Sequence, residues 1–305
     1  MTDILLHHYD GSPYSEKIRL ILGYKGLGWK SVVIPMILPK PDLMPLTGGY
    51  RRTPVLQLGA DVYCDTALIG DEIERRWPAP TLYPRGGFGA SAIVAAWAEK
   101  SLFWRAAGFA MGMIADKLPA EFHADRAAMR GAPAPSVERL KAAAPRSFTQ
   151  VRPQLAWLEQ SLDDGRAFLL GEAPALADFS VYHCLWFLTR SGRRVSAVLE
   201  PYPRISAWMA RLAAFGHGDR EELGPEAALE IALAAEPEAA PSITMPGAPE
   251  AGSAVAVAPD DYGKDPVVGD LVIYDDREIA VRRDDARVGA VVVHFPAVGY
   301  TVKPA

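Results

Sequence analysis

The chain has 305 residues, half of them hydrophobic, and a formal charge of -5, which is enough length for two or three units that each bury a core. That acidic balance, with a pI near 5.7, excludes broad binding to nucleic acid or to an anionic membrane, since both need a clustered excess of Lys and Arg. No stretch approaches the roughly 18 consecutive apolar residues that a membrane-spanning helix requires.

Residues 3–9 read as a short strand, closed by the turn signal Asp10-Gly11-Ser12-Pro13. A helix is predicted over about 15–25, with Ile18, Ile21 and Leu22 on one face and Gly26 as its stop. Residues 29–34 are β-rich, and so are 55–63 once broken at Gly59-Ala60-Asp61. Over 66–77 the apolar residues Ile69, Ile73 and Trp77 recur at helical spacing until Pro78 and Pro80 end the run. The order over residues 1–80 is therefore β-α-β-(short helix)-β-β-α.

From 88 to 235 the pattern is helical, with helices expected near 88–117, 146–163, 176–191, 203–215 and 220–235. Residues 236–252 are rich in Ala, Pro, Glu and Gly and read as a semi-extended linker. After it, residues 253–305 alternate apolar and polar, as in Leu271/Ile273, Ile279/Val281 and Val288/Ala290/Val292, which predicts a small antiparallel sheet.

Met1-Thr2-Asp3 carries an acid where a secretory leader has a basic region. Cys64 and Cys184 are too far apart for a Cys-x-x-Cys pair. A cytoplasmic, reducing setting is expected. The six histidines are scattered, and His7 and His8 on one strand face opposite sides, so no metal site is expected. His183 reads as a core histidine beside Cys184 and Trp186.

Chemistry concentrates in Ser12-Pro13-Tyr14-Ser15, where a strand hands over to a helix and backbone N–H groups converge with the positive end of the helix dipole. An anion is stabilised there. If it is a thiolate, a nearby hydroxyl lowers the thiol pKa by donating to it. Ser12 is the first candidate donor, with Tyr9, Tyr14 and Ser15 as alternatives. A helix cap is the competing role for Ser12.

The tetrad resembles the Cys-Pro-Tyr-Cys of glutaredoxins with both sulfurs replaced by oxygen, which excludes dithiol exchange. The longer string Ser12-Pro13-Tyr14-Ser15-Glu16-Lys17-Ile18-Arg19-Leu20 is similar to Cys-Pro-Phe-Ala-Glu-Arg-x-Arg-Leu of omega-type glutathione transferases, and it sets Ser12 on their catalytic cysteine and on the catalytic serine of zeta-type enzymes. Thr53-Pro54-Val55-Leu56 resembles the family's Val-Pro-x-Leu, whose proline is cis and whose preceding residue pairs its backbone with the cysteinyl part of glutathione. Asp65-Thr66 resembles the acid-hydroxyl pair that holds the γ-glutamyl end, although alone it reads as a cap. Lys40-Pro41 resembles a Lys-Pro whose lysine reaches the glycyl end. In Phe168 to Phe179 the family's capping-box segment is recognisable, with Asp178 as its acid and Ala175 where Ser or Thr is usual.

The resemblance implies a thioredoxin-like α/β N-terminal domain, an all-α C-terminal domain and, beyond the usual length, the small antiparallel β extension. It implies a glutathione-dependent transferase, a homodimer active in detoxification. The electrophile is a small apolar molecule against Trp97 and Trp104 of the aromatic cluster. Two alternatives stand beside it: a zeta-like isomerase, and a glutathione- or ligand-binding protein without turnover.

Overall fold

The computed structural model describes residues 3–305; Met1 and Thr2, which enter the reading of the leader, lie outside the described residues. The first unit consists of β1 (Leu5–His8), α1 (Pro13–Tyr24), β2 (Gly28–Val33), the single turn α2 (Met44–Thr47), β3 (Val55–Leu58), β4 (Asp61–Cys64) and α3 (Thr66–Arg76). β1 pairs parallel with β2 and antiparallel with β3, and β3 pairs antiparallel with β4. This is the thioredoxin-like order read from the sequence. α1 starts where it does because Pro13 fits the first helical turn and Ser12 Oγ accepts from the Ser15 N–H at 3.2 Å.

The helical half contains α4 (Phe88–Trp97), a wider π turn at Ala98–Leu102, α5 (Phe103–Met113), α6 (Ala120–Ala128), α7 (Val137–Ser161), α8 (Leu176–Arg190), the short α9 (Arg193–Ser196) and α10 (Pro203–Ala213). The helix expected from 146 begins at Val137, capped by Ser136, and carries Pro145 and Pro153 inside it, although proline disfavours a helix interior. Residues 220–235 are not one helix. They split into the exposed edge strand β5 (Asp219–Glu222), parallel to β2, and α11 (Pro225–Leu233). Asp and Glu disfavour strands in sequence, and here backbone pairing with β2 overrides them.

Asp178 closes the start of α8 as a structural acid. Its Oδ2 accepts from the Ala175 N–H at 2.9 Å, and its Oδ1 accepts from Leu169 N–H and Trp208 Nε1. Ala175 has no hydroxyl to return the bond, so its backbone oxygen takes the Asp178 N–H instead, at 2.8 Å.

The C-terminal strands are β6 (Ser242–Ile243), β7 (Ala254–Pro259), β8 (Val267–Tyr274), β9 (Glu278–Asp285), β10 (Gly289–Pro296) and β11 (Tyr300–Pro304). Their mutual pairings are antiparallel except for the short β6, which joins β8 in parallel from within the segment expected as a linker. They are not a free-standing sheet. β10 pairs in parallel with β4, Val292 opposite Asp61 and His294 opposite Tyr63, so one sheet runs β11-β7-β8-β9-β10-β4-β3-β1-β2-β5.

The alternation of strand side chains divides the interior. Leu56 and Leu58 of β3 face a core shared with α1, α3 and the helical half, including Ile18, Ile69, Leu102 and Phe179. Val55 faces a second core with Leu43, Leu46, Val255, Val281, Val293 and Phe295. The C-terminal strands thus bury apolar surface of the first unit. Gly48, which ends α2 at φ 66°, marks how close they come: a Cβ there would stand 2.7 Å from Arg283 Nε.

Candidate functional site

A cavity of about 660 Å³ opens where the first unit, the helical half and the C-terminal strands meet. Thr53 and Pro54, joined by a cis peptide, and Asp65 and Thr66 all line it. Four residues singled out by motif therefore share one wall, although they come from two separate places, the loop before β3 and the start of α3.

Asp65 has φ 74° and ψ 135°, a region that costs a non-glycine residue about 1–3 kcal/mol and that clusters at functional sites. Its Oδ1 caps α3 by accepting from the Ala67 N–H at 3.0 Å. Burial, and then the charge of Glu99, push its carboxyl above the usual aspartate range. Thr66 Oγ1 accepts from Lys17 Nζ at 3.2 Å, and the same ammonium lies 2.7 Å from Glu99 Oε1. Burial would raise Glu99, but Lys17 and His183 hold it down to about 2. Beside the α3 N-terminus the cavity therefore offers both a carboxylate and a cation, the complement of an α-amino-acid head group.

The candidate hydroxyls separate. Tyr14 lines the cavity, its ring packed 4.7 Å from both Phe103 and His183, and burial drives its hydroxyl well above the ordinary tyrosine value. Ser12 is 2% exposed, caps α1 and is not on the cavity wall. Tyr9 faces Ser12 and Arg126, and burial raises its hydroxyl above the ordinary value. Ser15 is buried with its hydroxyl unpartnered.

Lys40 does not line the cavity. It lies behind the wall, donating to Arg51 O and Thr53 Oγ1, each at 2.9 Å, and burial lowers its pKa to about 7. Trp104 of α5 lines the cavity, whereas Trp97 packs half-buried against the helical core. Among the described residues no group of three His, Cys, Asp or Glu side chains could hold a metal, and both cysteines are buried and free. No helix among them is long and apolar enough to cross a membrane.

Sequence reasoning missed Lys17, Glu99, Arg52, Tyr262 and Tyr300, all on the cavity wall. Lys17 had a signal: it is a charge on the buried face of α1, three residues after Tyr14 and next to Ile18. Glu99 had none, because it sits in the π turn, where helical spacing is interrupted. Tyr300 comes from a strand, and Tyr262 from the turn after β7, whose partners the sequence does not name.

The family described as "Glutathione S-transferase, N-terminal domain" matches residues 6–81, and "Glutathione S-transferase, C-terminal domain" matches 141–211. A GST-like protein from Pseudomonas syringae is 40% identical over 99% of this chain and 100% of its own, with a TM-score of 0.81, so the likeness continues through the C-terminal strands. A glutathione S-transferase from Rhodospirillum rubrum F11 shares the fold at 20% identity and a TM-score of 0.54, over 69% of this chain and 88% of its own. A Tau class glutathione S-transferase from mango, Mangifera indica, does so at 19% and 0.53, over 70% and 89%. No curated protein matches the sequence significantly.

Proposed function

We propose, from the premise that the chain belongs to the glutathione S-transferase family, that it binds glutathione in this cavity and readies its thiolate for attack on a small apolar electrophile. The observation that carries the reading is the shared wall of Thr53-Pro54 and Asp65-Thr66. In this reading the γ-glutamyl ammonium pairs with Asp65, and its carboxylate meets Thr66 and the first N–H groups of α3. The cysteinyl backbone lies along Thr53, and Lys40 positions that residue from behind. The thiol releases its proton to solvent water before attack; the sulfur then bonds to the electrophilic carbon on the side of Trp104, and the leaving group departs with its electron pair.

Ser12 is the proposed hydroxyl donor to the thiolate. Its oxygen accepts from the Ser15 N–H at the start of α1, and in this reading the hydroxyl proton, which has Tyr9 as its neighbour, is given to the thiolate. Tyr14 is the second reading, favoured because it lines the cavity. A ligand-binding protein without turnover is favoured by the position of Ser12 behind the wall. A homodimer and a cytoplasmic role in detoxification are proposed on family membership.

Calorimetric titration with glutathione, followed by ultraviolet absorbance of the bound thiolate against pH, tests the reading. A bound thiol pKa well below the free value of about 8.5 supports it. Binding without ionisation points to a carrier, and no binding overturns it.

A further inference from the structure

Part of the cavity wall comes from the far end of the chain. Tyr300, the first residue of β11, is 8% exposed, and its hydroxyl lies 3.3 Å from both Asp65 Oδ2 and Tyr50 Oη. The turn after β7 is fastened at the same place. Arg52 Nη2 donates to Asp261 Oδ1 and to Tyr262 O, and its guanidinium carbon lies 3.9 Å from the centre of the Tyr262 ring. The Tyr262 ring meets Trp104 edge-on at 5.0 Å, and Gly263 N–H donates to Met129 O at 2.6 Å. The C-terminal strands are thus held to both halves of the molecule around one cavity.

The geometry at Asp65 gives this contact a role. Its Oδ1 serves Ala67 N–H and its Oδ2 faces Tyr300. A carboxylate offers about four acceptor sites, so roughly two are left for a ligand. The carboxylate is held from the helix side and from the C-terminal side, on the wall of the cavity that Asp65 lines.

We propose that Tyr300 is a positioning residue of the glutathione site, holding the Asp65 carboxylate for the γ-glutamyl ammonium. The C-terminal strands are then a working part of the site rather than a scaffold beside it. This rests on the glutathione reading. Tyr300 bonds to the charged form of Asp65, so losing its hydroxyl makes that carboxylate easier to protonate. The other charged and titratable groups facing Asp65 are Lys17, Glu99, Arg52, Tyr50, Cys64, Tyr14 and Tyr262, and a Tyr300 substitution leaves all of them in place.

The test is calorimetric titration of the full chain and of Tyr300→Phe with two probes between pH 5 and 8: glutathione, and glutaryl-Cys-Gly, which lacks only the α-ammonium. Phe keeps the ring packed against Phe295, whose centroid is 5.4 Å away, and an unchanged melting temperature verifies the fold. The expected result is about tenfold weaker glutathione binding, the size of one lost hydrogen bond to a charged group. The acid limb of the binding profile moves to higher pH, and glutaryl-Cys-Gly binds as before. Equal weakening of both probes, or an unmoved acid limb, overturns the proposal while the glutathione reading stands. A native chain that binds neither probe overturns the glutathione reading itself, and this inference with it.

Discussion

His294 Nε2 lies 3.0 Å from Asp61 Oδ1 while its Nδ1 lies 3.2 Å from Glu278 Oε2, so one buried imidazole joins β10 to the edge of β4. Its ring stacks on Tyr63 at 4.3 Å. Burial alone would lower the imidazole pKa, but the two carboxylates outweigh it and leave the value raised above 6.5. A raised folded value means the stabilisation is complete below the unfolded pKa, near 6.5, and is lost as pH rises through the folded one. Melting temperature is therefore expected to decline from about pH 6.5 into the alkaline range. His294→Ala should lower it at pH 6 by the equivalent of about 3–5 kcal/mol, because two buried carboxylates lose their counter-charge. The variant's melting curve should be flatter across that window. An alkaline decline as steep as that of the native chain would remove His294 as its source.

Lys17 and Glu99 make the corresponding pair on the cavity side. Glu99 is held at about 2, so its contribution is full above the ordinary glutamate value and is lost as pH falls through about 2. Lys17→Met should cost about 3–5 kcal/mol in urea unfolding at pH 7, since a buried carboxylate is left uncompensated. The gap to the native chain should narrow as pH falls, because Glu99 without Lys17 takes up its proton readily while the native pair loses its contribution. The double change Lys17→Met, Glu99→Gln should recover part of the loss. If the double variant is no better than the single, the stranded charge is not the cause.

Local periodicity carried most of the first unit. β1, α1 and α3 are short elements whose apolar spacing and punctuation lie within one window. The motif residues Thr53-Pro54 and Asp65-Thr66 came with them. What periodicity does not encode is pairing at a distance. The alternation of Val288, Ala290 and Val292 says strand, but it does not say that β4 is the neighbour, and so Tyr300 could not be set against Asp65. The same limit hid β5, where four polar residues extend along β2. Ser12 illustrates a different ambiguity: the same hydroxyl at a helix start suits a cap and a thiolate donor, and one sequence position cannot separate two roles with the same chemistry.

Asp178 supports a prediction independent of the ligand. Its two oxygens accept three bonds, from Leu169 N–H, Ala175 N–H and Trp208 Nε1, in a fully buried setting. In Asp178→Asn the amide NH₂ must face one of those N–H donors, and no rotamer accepts all three. Destabilisation of about 2–3 kcal/mol is expected in urea unfolding, the cost of a buried donor left unpaired. Glutathione affinity should be unchanged below the unfolding transition. A loss under about 0.5 kcal/mol would show that the α8 start repacks without the acid.

The thiolate donor is decided by two substitutions read on one axis. If Ser12 donates to the bound thiolate, Ser12→Ala removes a charge-assisted hydrogen bond and should raise the bound thiol pKa by about 1–2 units. Turnover at pH 6.5 should fall about 10- to 100-fold, with glutathione affinity near that of the native chain. Tyr14→Phe should then leave the thiol pKa in place and change at most the affinity for the electrophile beside Trp104. The opposite pattern assigns the donor to Tyr14, whose hydroxyl burial keeps protonated far above neutral pH. If neither substitution moves the thiol pKa, the α1 N-terminus alone sets it. A native chain that binds glutathione with a thiol pKa near 8.5 has a carrier's site, and in that case neither hydroxyl has catalytic work to lose.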